Sequence, residues 1–280
     1  MMADKRKAVL YPNRENDIDF KMSKFVGEIF VKNGWEISQH VYPGYPDLSG
    51  VEMIITFGGD GTILHAARAA ADVDVPILGI NMGGKGFIAE LEVSDIELAE
   101  TAALGDYKLE TRMMIDIEIM RGGKVICNDF ALNDIVIKGD NKVIEMTVFG
   151  DDEMITSFSG DGTIIATPTG STAYSMSAGG PIVEPTAKNI IITPICAHVL
   201  EAKSFVLVAT RIVTVDIDHK KGISAYVSID GGTHINIQNG DLIKVSKSEK
   251  STSLVRLSDR SFYHKISSKL ISRFNMRGTQ

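Results

Sequence analysis

Until about residue 105, short apolar runs alternate with stretches whose apolar residues recur every three to four positions; beyond that, strict alternation takes over. AVLY at 8–11, WEISQH at 35–40, VEMIITF ending at Phe57 and VPILGIN ending at Asn81 read as strands. In FKMSKFVGEIFVKNGW, Met22, Phe25, Val26, Ile29 and Phe30 follow helical spacing, and Asn33-Gly34 supplies the stop. ILHAARAAAD at 63–72 predicts a short helix between the third and fourth strands. SDIELAETAALGD predicts another, with Ser94 and Glu97 as a capping box and Gly105 closing it. Strands alternating with helices predict a parallel sheet with crossover helices.

Beyond residue 110 the period becomes two. Ile115, Ile117 and Ile119 alternate with Asp116 and Glu118, and RGGK reads as the turn of a hairpin leading into VICNDF. VIEMTVFG, SFVLVATRIVTVDID, ISAYVSID and DLIKVSK are further β-rich runs. Thr172 to Gly179 is the one clear helical stretch in this half, and KISSKLISRF reads as a last helix-like piece before a polar tail. The pattern therefore predicts an α/β half over 1–110 and a mainly β half over 111–261.

Composition narrows the class. With 280 residues and 44% hydrophobic content the chain can bury one large core or two modest ones. A formal net charge of -7 argues against coating a nucleic-acid backbone, which needs clustered Lys and Arg. The two cysteines, Cys127 and Cys196, form neither a disulfide framework nor a C-x-x-C site. No run approaches a membrane span of about 18 apolar residues, and the first residues lack the apolar core of a signal peptide. The expectation is a cytoplasmic protein with neither nucleic acid nor membrane as partner.

Four glycine-rich or polar tracts carry the candidate chemistry. In TFGGDGT, Gly58, Gly59 and Gly61 let backbone approach a ligand at a strand-to-helix junction, and Thr62 is placed to cap the helix. There is no Walker lysine and no G-x-G-x-x-G. Asp60 stands where phosphate would be received. It either holds a bridging metal ion, removes a proton from an attacking hydroxyl, or bonds its own turn. INMGGKGFIAEL repeats the arrangement, either with Lys85 meeting phosphate as a point charge or as a plain loop. In FALNDIVIKGDNK, Asn133 and Asp134 lie inside an apolar run, so they either pair internally or grip a ligand. SFSGDGTIIATPTGSTAY places Asp161 before a hydroxyl-rich tract suited to ribose and diphosphate, with Tyr174 available to pack on a ring. His65, His198 and His234 lack the spacing of a zinc protease site, and no Gly-x-Ser-x-Gly elbow accompanies them.

GGDGT, then Asn-Asp, then GDG with TPTGSTAY, in this order and over nearly the whole chain, resembles the NAD kinase family. The resemblance implies an N-terminal α/β domain, a C-terminal β-sandwich, and a last segment, 262–280, returning to the first domain. It implies γ-phosphoryl transfer from ATP, or from polyphosphate, to the adenosine ribose 2′-hydroxyl of NAD. Asp60 would be the proton acceptor, with Gly61 and His65 lining its site; Gly58, Gly59, Gly61 and Thr62 would meet ATP phosphate. Asn133, Asp134, Asp161, Thr172, Ala173, Tyr174, Ser175, Met176, Ser177 and Cys196 match positions that bind NAD. A divalent ion, Mg2+ or Mn2+, and a homodimer or homotetramer are further expectations of the resemblance. Lys138 and Asp230-Gly231-Gly232 depart from the common family pattern of arginine and Asp-Gly-Gln, which leaves the role of Asp230 open.

Overall fold

The computed structural model describes residues 5–84, 86–198, 202–218, 224–232, 234–257 and 262–275, with side chains through 269 in the last segment. Two units emerge, Met1–Thr111 with Thr252–Gln280, and Arg112–Ser251.

The first unit is a parallel sheet with helices. Its elements are β1 (Lys7–Pro12), α1 (Lys21–Lys32), β2 (Glu36–Gln39), β3 (Met53–Gly58), α2 (Asp60–Ala70), β4 (Ile77–Asn81), the two-residue β5 (Leu91–Glu92) and α3 (Ala99–Leu104). The strand order β2-β1-β3-β4 is parallel throughout. Strand β3 is buried along its whole length, as expected where helices cover both faces. Met53, Ile55 and Phe57 pack with Phe30 of α1 and Trp35, and the Trp35 indole N–H donates to the Ala103 carbonyl at 2.8 Å. Asp17 fastens the start of α1 by accepting from the amides of Met22 and Ser23, both at 3.0 Å.

Register brings two motifs together. Gly58 at the end of β3 lies opposite Asn81 at the end of β4, so both glycine-rich turns leave the same edge of the sheet, at the carboxyl ends of its strands.

Two local expectations are corrected here. Thr62 does not cap α2: the extended backbone of Gly59 occupies the cap position, the helix begins at Asp60, and the buried Thr62 side chain packs over Gly58, where a Cβ would collide with it. The Ser94–Glu97 capping box also does not form. The stretch Val93–Leu98 is a 3-10 helix begun by Glu92 without a side-chain cap, and α3 starts only at Ala99. Gly105 does close α3, in the left-handed region at φ 87°.

The second unit contains β6 (Lys108–Arg121), β7 (Lys124–Ala131), β8 (Asp134–Gly139), β9 (Ile144–Gly150), β10 (Glu153–Gly160), β11 (Gly162–Ala166), α4 (Tyr174–Ser177), β12 (Asn189–Ile195), β13 (Phe205–Val208), β14 (Val213–Asp218), β15 (Ala225–Ile229), β16 (Ile235–Ile237) and β17 (Leu242–Arg256). One antiparallel sheet runs β13-β12-β11-β8-β15-β16. A second contains β10, β9, β14 and the first part of β17, with the β6–β7 hairpin turning at Gly122 and Gly123, both at positive φ. Ile115, Ile117 and Ile119 from the hairpin and Ile135, Ile137, Ile165 and Ile192 from the six-stranded sheet meet in one core. This is a two-layer antiparallel β unit, as the change of period implies.

Strands β6 and β17 begin in one unit and end in the other; Leu254, past the division, pairs with Ile77 of β4. Helix α5 (Phe262–Asn275) follows in the first unit. The helix expected over Thr172 to Gly179 is shorter than the sequence suggests. A 3-10 turn, Gly170–Thr172, is followed by the single turn of α4, because Ala173 at φ -93°, ψ -129° interrupts it.

Candidate active site

In the first unit, Asp60 opens α2 directly after the buried strand β3. A carboxylate in a first helical turn is favoured by the helix dipole, which answers part of why an acid sits among glycines. Its partners answer the rest. Oδ2 accepts from the Phe87 amide at 2.7 Å and Oδ1 from the Ile88 amide at 3.2 Å, so the second glycine-rich turn wraps the acid of the first. A Cβ on Gly86 would collide with the Asp60 carboxylate, so only glycine allows this approach. A carboxylate has about four acceptor positions, and two are used here. The remainder can serve a substrate hydroxyl.

Asn81 supports that turn: its amide nitrogen donates to the Gly84 carbonyl and to Glu92, both at 2.7 Å, while its oxygen accepts from the Gly84 amide at 3.1 Å. Lys85 lies outside the described residues.

His65, on α2, is held among aromatic rings. Its imidazole stacks on Tyr45 with centroids 4.4 Å apart and lies near-parallel to Tyr11. The Tyr11 hydroxyl is 2.6 Å from both the Gly44 carbonyl and His65 Nδ1. One hydroxyl has one proton, and a carbonyl can only accept. Tyr11 therefore donates to Gly44 and accepts from His65, which fixes the Nδ1–H tautomer and makes Nε2 the acceptor. Burial, with Arg68 nearby, lowers the His65 pKa, so the ring is neutral near pH 7. Burial beside Tyr42 and Tyr45 pushes the Tyr11 hydroxyl well above its usual range, so it stays protonated.

The second unit holds a pocket of about 370 Å³. Asn133, Asp134, Ala173, Tyr174, Tyr226 and His234 are among its lining residues. Asn133 precedes β8 rather than lying within it, and its side-chain oxygen is buried with no hydrogen-bond partner among the described residues. An acceptor buried without a partner costs about 1–3 kcal/mol. The internal pairing considered for this dipeptide is thus absent at Asn133 Oδ1.

Asp134 is 5% exposed, and burial together with the neighbouring Asp230 raises its pKa to about 7. Asp230 itself accepts from three successive amides: Leu132 at 2.8 Å, Asn133 at 2.7 Å and Asp134 at 3.1 Å. Its role is therefore to fold the entry to β8 around itself. Gly170 lies so close to the Asn133 backbone that a Cβ would collide with it, which ties the hydroxyl-rich tract to the same place.

Not every expected residue reaches this pocket. Of the tract Thr172 to Ser177, Ala173 and Tyr174 line it, whereas Thr172 bonds the Thr169 carbonyl and the buried Ser175 bonds Thr193. Met176, Ser177, Asp161 and Cys196 are not among its lining residues; Asp161 bridges β10 and β11, and Cys196 is exposed at the end of β12. Sequence reasoning gave no role to Tyr226 and Ser228, which also line the pocket, nor to Tyr11 and Tyr45 around His65; Lys138, singled out as a departure from the family's arginine, lines the pocket as well. His234, whose spacing fits no zinc protease site, stacks on Tyr226 at 3.9 Å between centroids. The alternation in β15 signals Tyr226 and Ser228 only once the direction of each face is known.

Residues 132–257 match the family model of the ATP-NAD kinase C-terminal domain, and residues 45–105 that of the ATP-NAD kinase N-terminal domain. The NAD kinase of Lachnoclostridium phytofermentans is 37% identical over 280 residues, covering 94% of this chain and 98% of that protein. The chain belongs to the ATP-NAD kinase family. Within it, the NAD kinase of Natranaerobius thermophilus is 42% identical over 222 residues, covering 78% of this chain and 77% of that one. Among solved structures, an NAD kinase from Archaeoglobus fulgidus in complex with ATP superposes with a TM-score of 0.74 at 26% identity, covering 95% of this chain and 99% of the other. Yeast NADH kinase complexed with NADH gives a TM-score of 0.78 at 23% identity, over 97% and 89%, and shares the fold. The two-unit ATP-NAD kinase architecture thus accounts for the α/β and antiparallel β halves described above.

Proposed function

We propose that this chain is an NAD kinase, transferring the γ-phosphoryl group of ATP to the adenosine ribose 2′-hydroxyl of NAD to give NADP. The observation that carries the reading is the GGDGT turn in a chain of this family: an acid at a strand-to-helix junction, flanked by glycines, with no Walker lysine. In this reading Asp60 takes the hydroxyl proton, and the turn formed by Gly58, Gly59, Gly61 and Thr62 meets ATP phosphate. Gly61 and His65 line the acceptor ribose; neutral His65, with Nε2 as acceptor, suits a hydroxyl donor. Asn133 and Asp134 hold the dinucleotide, and Ala173 and Tyr174 line the same pocket.

Among the described residues no three His, Cys, Asp or Glu side chains converge into a metal cage. Phosphate oxygens and water are the donors Mg2+ prefers, so the ion would be carried by the nucleotide and leave Asp60 as the proton acceptor. Bound Mg2+ or Mn2+ supplies charge neutralisation on the transferring phosphoryl group. The protein's own contribution is positioning, worth several powers of ten in rate.

Incubation of the purified protein with NAD, ATP and Mg2+ should yield NADP, identified by its activity with an NADP-specific dehydrogenase. Absence of NADP under all nucleotide and metal combinations sinks the proposal, and polyphosphate in place of ATP defines the donor.

The finer expectations are a cytoplasmic location and a homodimer or homotetramer. Among the described residues no helix is long and apolar enough to cross a membrane. Val206 and Val208, 48% and 58% exposed, lie on β13 at an outer edge of the six-stranded sheet, the kind of edge that pairs with another copy. Sedimentation should give a mass of two or four chains; a monomer at micromolar concentration removes that part of the reading.

A further inference from the structure

The segment Gly86–Ala89, which wraps Asp60, is gripped from its other side by cations of the returning C-terminal segment. Lys269 of α5 donates to the Gly86 carbonyl and, at 3.2 Å, to Glu92. Arg256 donates to the Ile88 carbonyl at 3.1 Å while pairing with Glu90 and Glu110. Lys265 donates to the Ala89 carbonyl and to the buried Glu90, both at 3.1 Å.

These three contacts are not equivalent. The Gly86 carbonyl belongs to the same peptide group as the Phe87 N–H, the donor 2.7 Å from Asp60 Oδ2. An ammonium on the oxygen of a peptide polarises its N–H, because hydrogen bonds in a chain strengthen one another. It also fixes the plane of that peptide, and thereby the direction from which the N–H meets the carboxylate. The carbonyls of Ile88 and Ala89 lie beyond the two amides that reach Asp60.

We propose that Lys269 is a positioning residue for the phosphoryl-transfer reaction, acting on Asp60 through the single Gly86–Phe87 peptide group. This rests on the NAD kinase reading for its kinetic consequence but not for its geometry. Glu92 holds the ammonium in place from the other side, and the absence of a Cβ at Gly86 lets the peptide lie flat against the acid.

The test compares Lys269→Met, Lys269→Arg and the same changes on an Asp60→Asn background. Lys269→Met should lower kcat about tenfold with KM for NAD and ATP within about twofold, and Lys269→Arg, which retains a cationic donor, should recover most of the rate. On the Asp60→Asn background, Lys269→Met should change the residual rate by less than about twofold, since the group it acts through is gone. Wild-type turnover in Lys269→Met overturns the proposal, as does an equal loss on both backgrounds, or a loss in KM and thermal stability that arginine does not rescue. Amide exchange provides the readout independent of activity: Phe87 N–H should exchange faster in Lys269→Met. If the wild-type protein forms no NADP, the functional reading fails, and an unchanged Phe87 exchange rate would separately overturn the positioning.

Discussion

Asp60→Asn lowers kcat by about 10²- to 10⁴-fold, or about 3–5 kcal/mol of transition-state stabilisation, while KM for NAD changes only a few-fold. The size follows from removing general-base assistance and leaving the remaining positioning intact. The structure adds a second effect. Both carboxylate oxygens accept amide hydrogen bonds, from Phe87 and Ile88, and a carboxamide keeps one acceptor while turning an NH₂ group toward the other N–H. An unpaired donor pair of this kind costs about 1–3 kcal/mol, so the variant should also melt several degrees lower. Steady-state kinetics well below the melting temperature separate the two. A variant that has lost stability but retains wild-type kcat would leave Asp60 as an anchor for the second turn and nothing more.

The Asp134 pocket gives the other large effect, and its sign is opposite to that of most carboxylates. The folded pKa of about 7 lies above the ordinary 3.8, so the protonated form is favoured by folding. Its contribution to stability is complete below about pH 3.8 and is lost as pH rises through about 7. At about 1.4 kcal/mol per pH unit, the interval corresponds to on the order of 4 kcal/mol. The groups facing this carboxyl across the pocket are Lys138, Tyr174, Tyr226, Asp230 and His234, and Asp230 is the one that adds to burial in raising it. Asp134→Asn, neutral at every pH, should therefore melt higher than the wild-type protein at pH 8 and close to it at pH 4.5. It should bind NAD about tenfold more weakly. Thermal unfolding at the two pH values, with a titration of NAD, reads both; a variant that melts lower than wild type at pH 8 contradicts the buried-acid account. Stability given up near neutral pH to keep an acid in a pocket is the usual mark of a binding group.

Much of the fold was legible because period reports environment. Ile115, Ile117 and Ile119 alternate with Asp116 and Glu118 since one face of β6 meets the core, and all three isoleucines are fully buried. The run MIITFG reads as continuous apolar sequence because β3 is covered on both sides. Local signals failed where tertiary packing supplied a better partner. Thr62 packs over Gly58 instead of capping α2, and Ser94 lies inside a 3-10 stretch where the capping geometry does not arise.

The candidate chemistry divides in the same way. Residue type and spacing determined that an acid stands at a glycine-rich strand-to-helix junction, that Asn133 and Asp134 are polar in an apolar setting, and that the hydroxyl-rich tract precedes a turn of helix. Tertiary structure decided which of these meet. The 58–81 register sets two turns, 27 residues apart at Asp60 and Phe87, against one another, and the chain's return through Arg256, Lys265 and Lys269 holds the second turn in place. Hydrophobic period is a local property of the chain and survives in the sequence; the pairing of strand ends and the reach of a lysine from the C-terminal helix depend on contacts between distant segments, which no local pattern encodes.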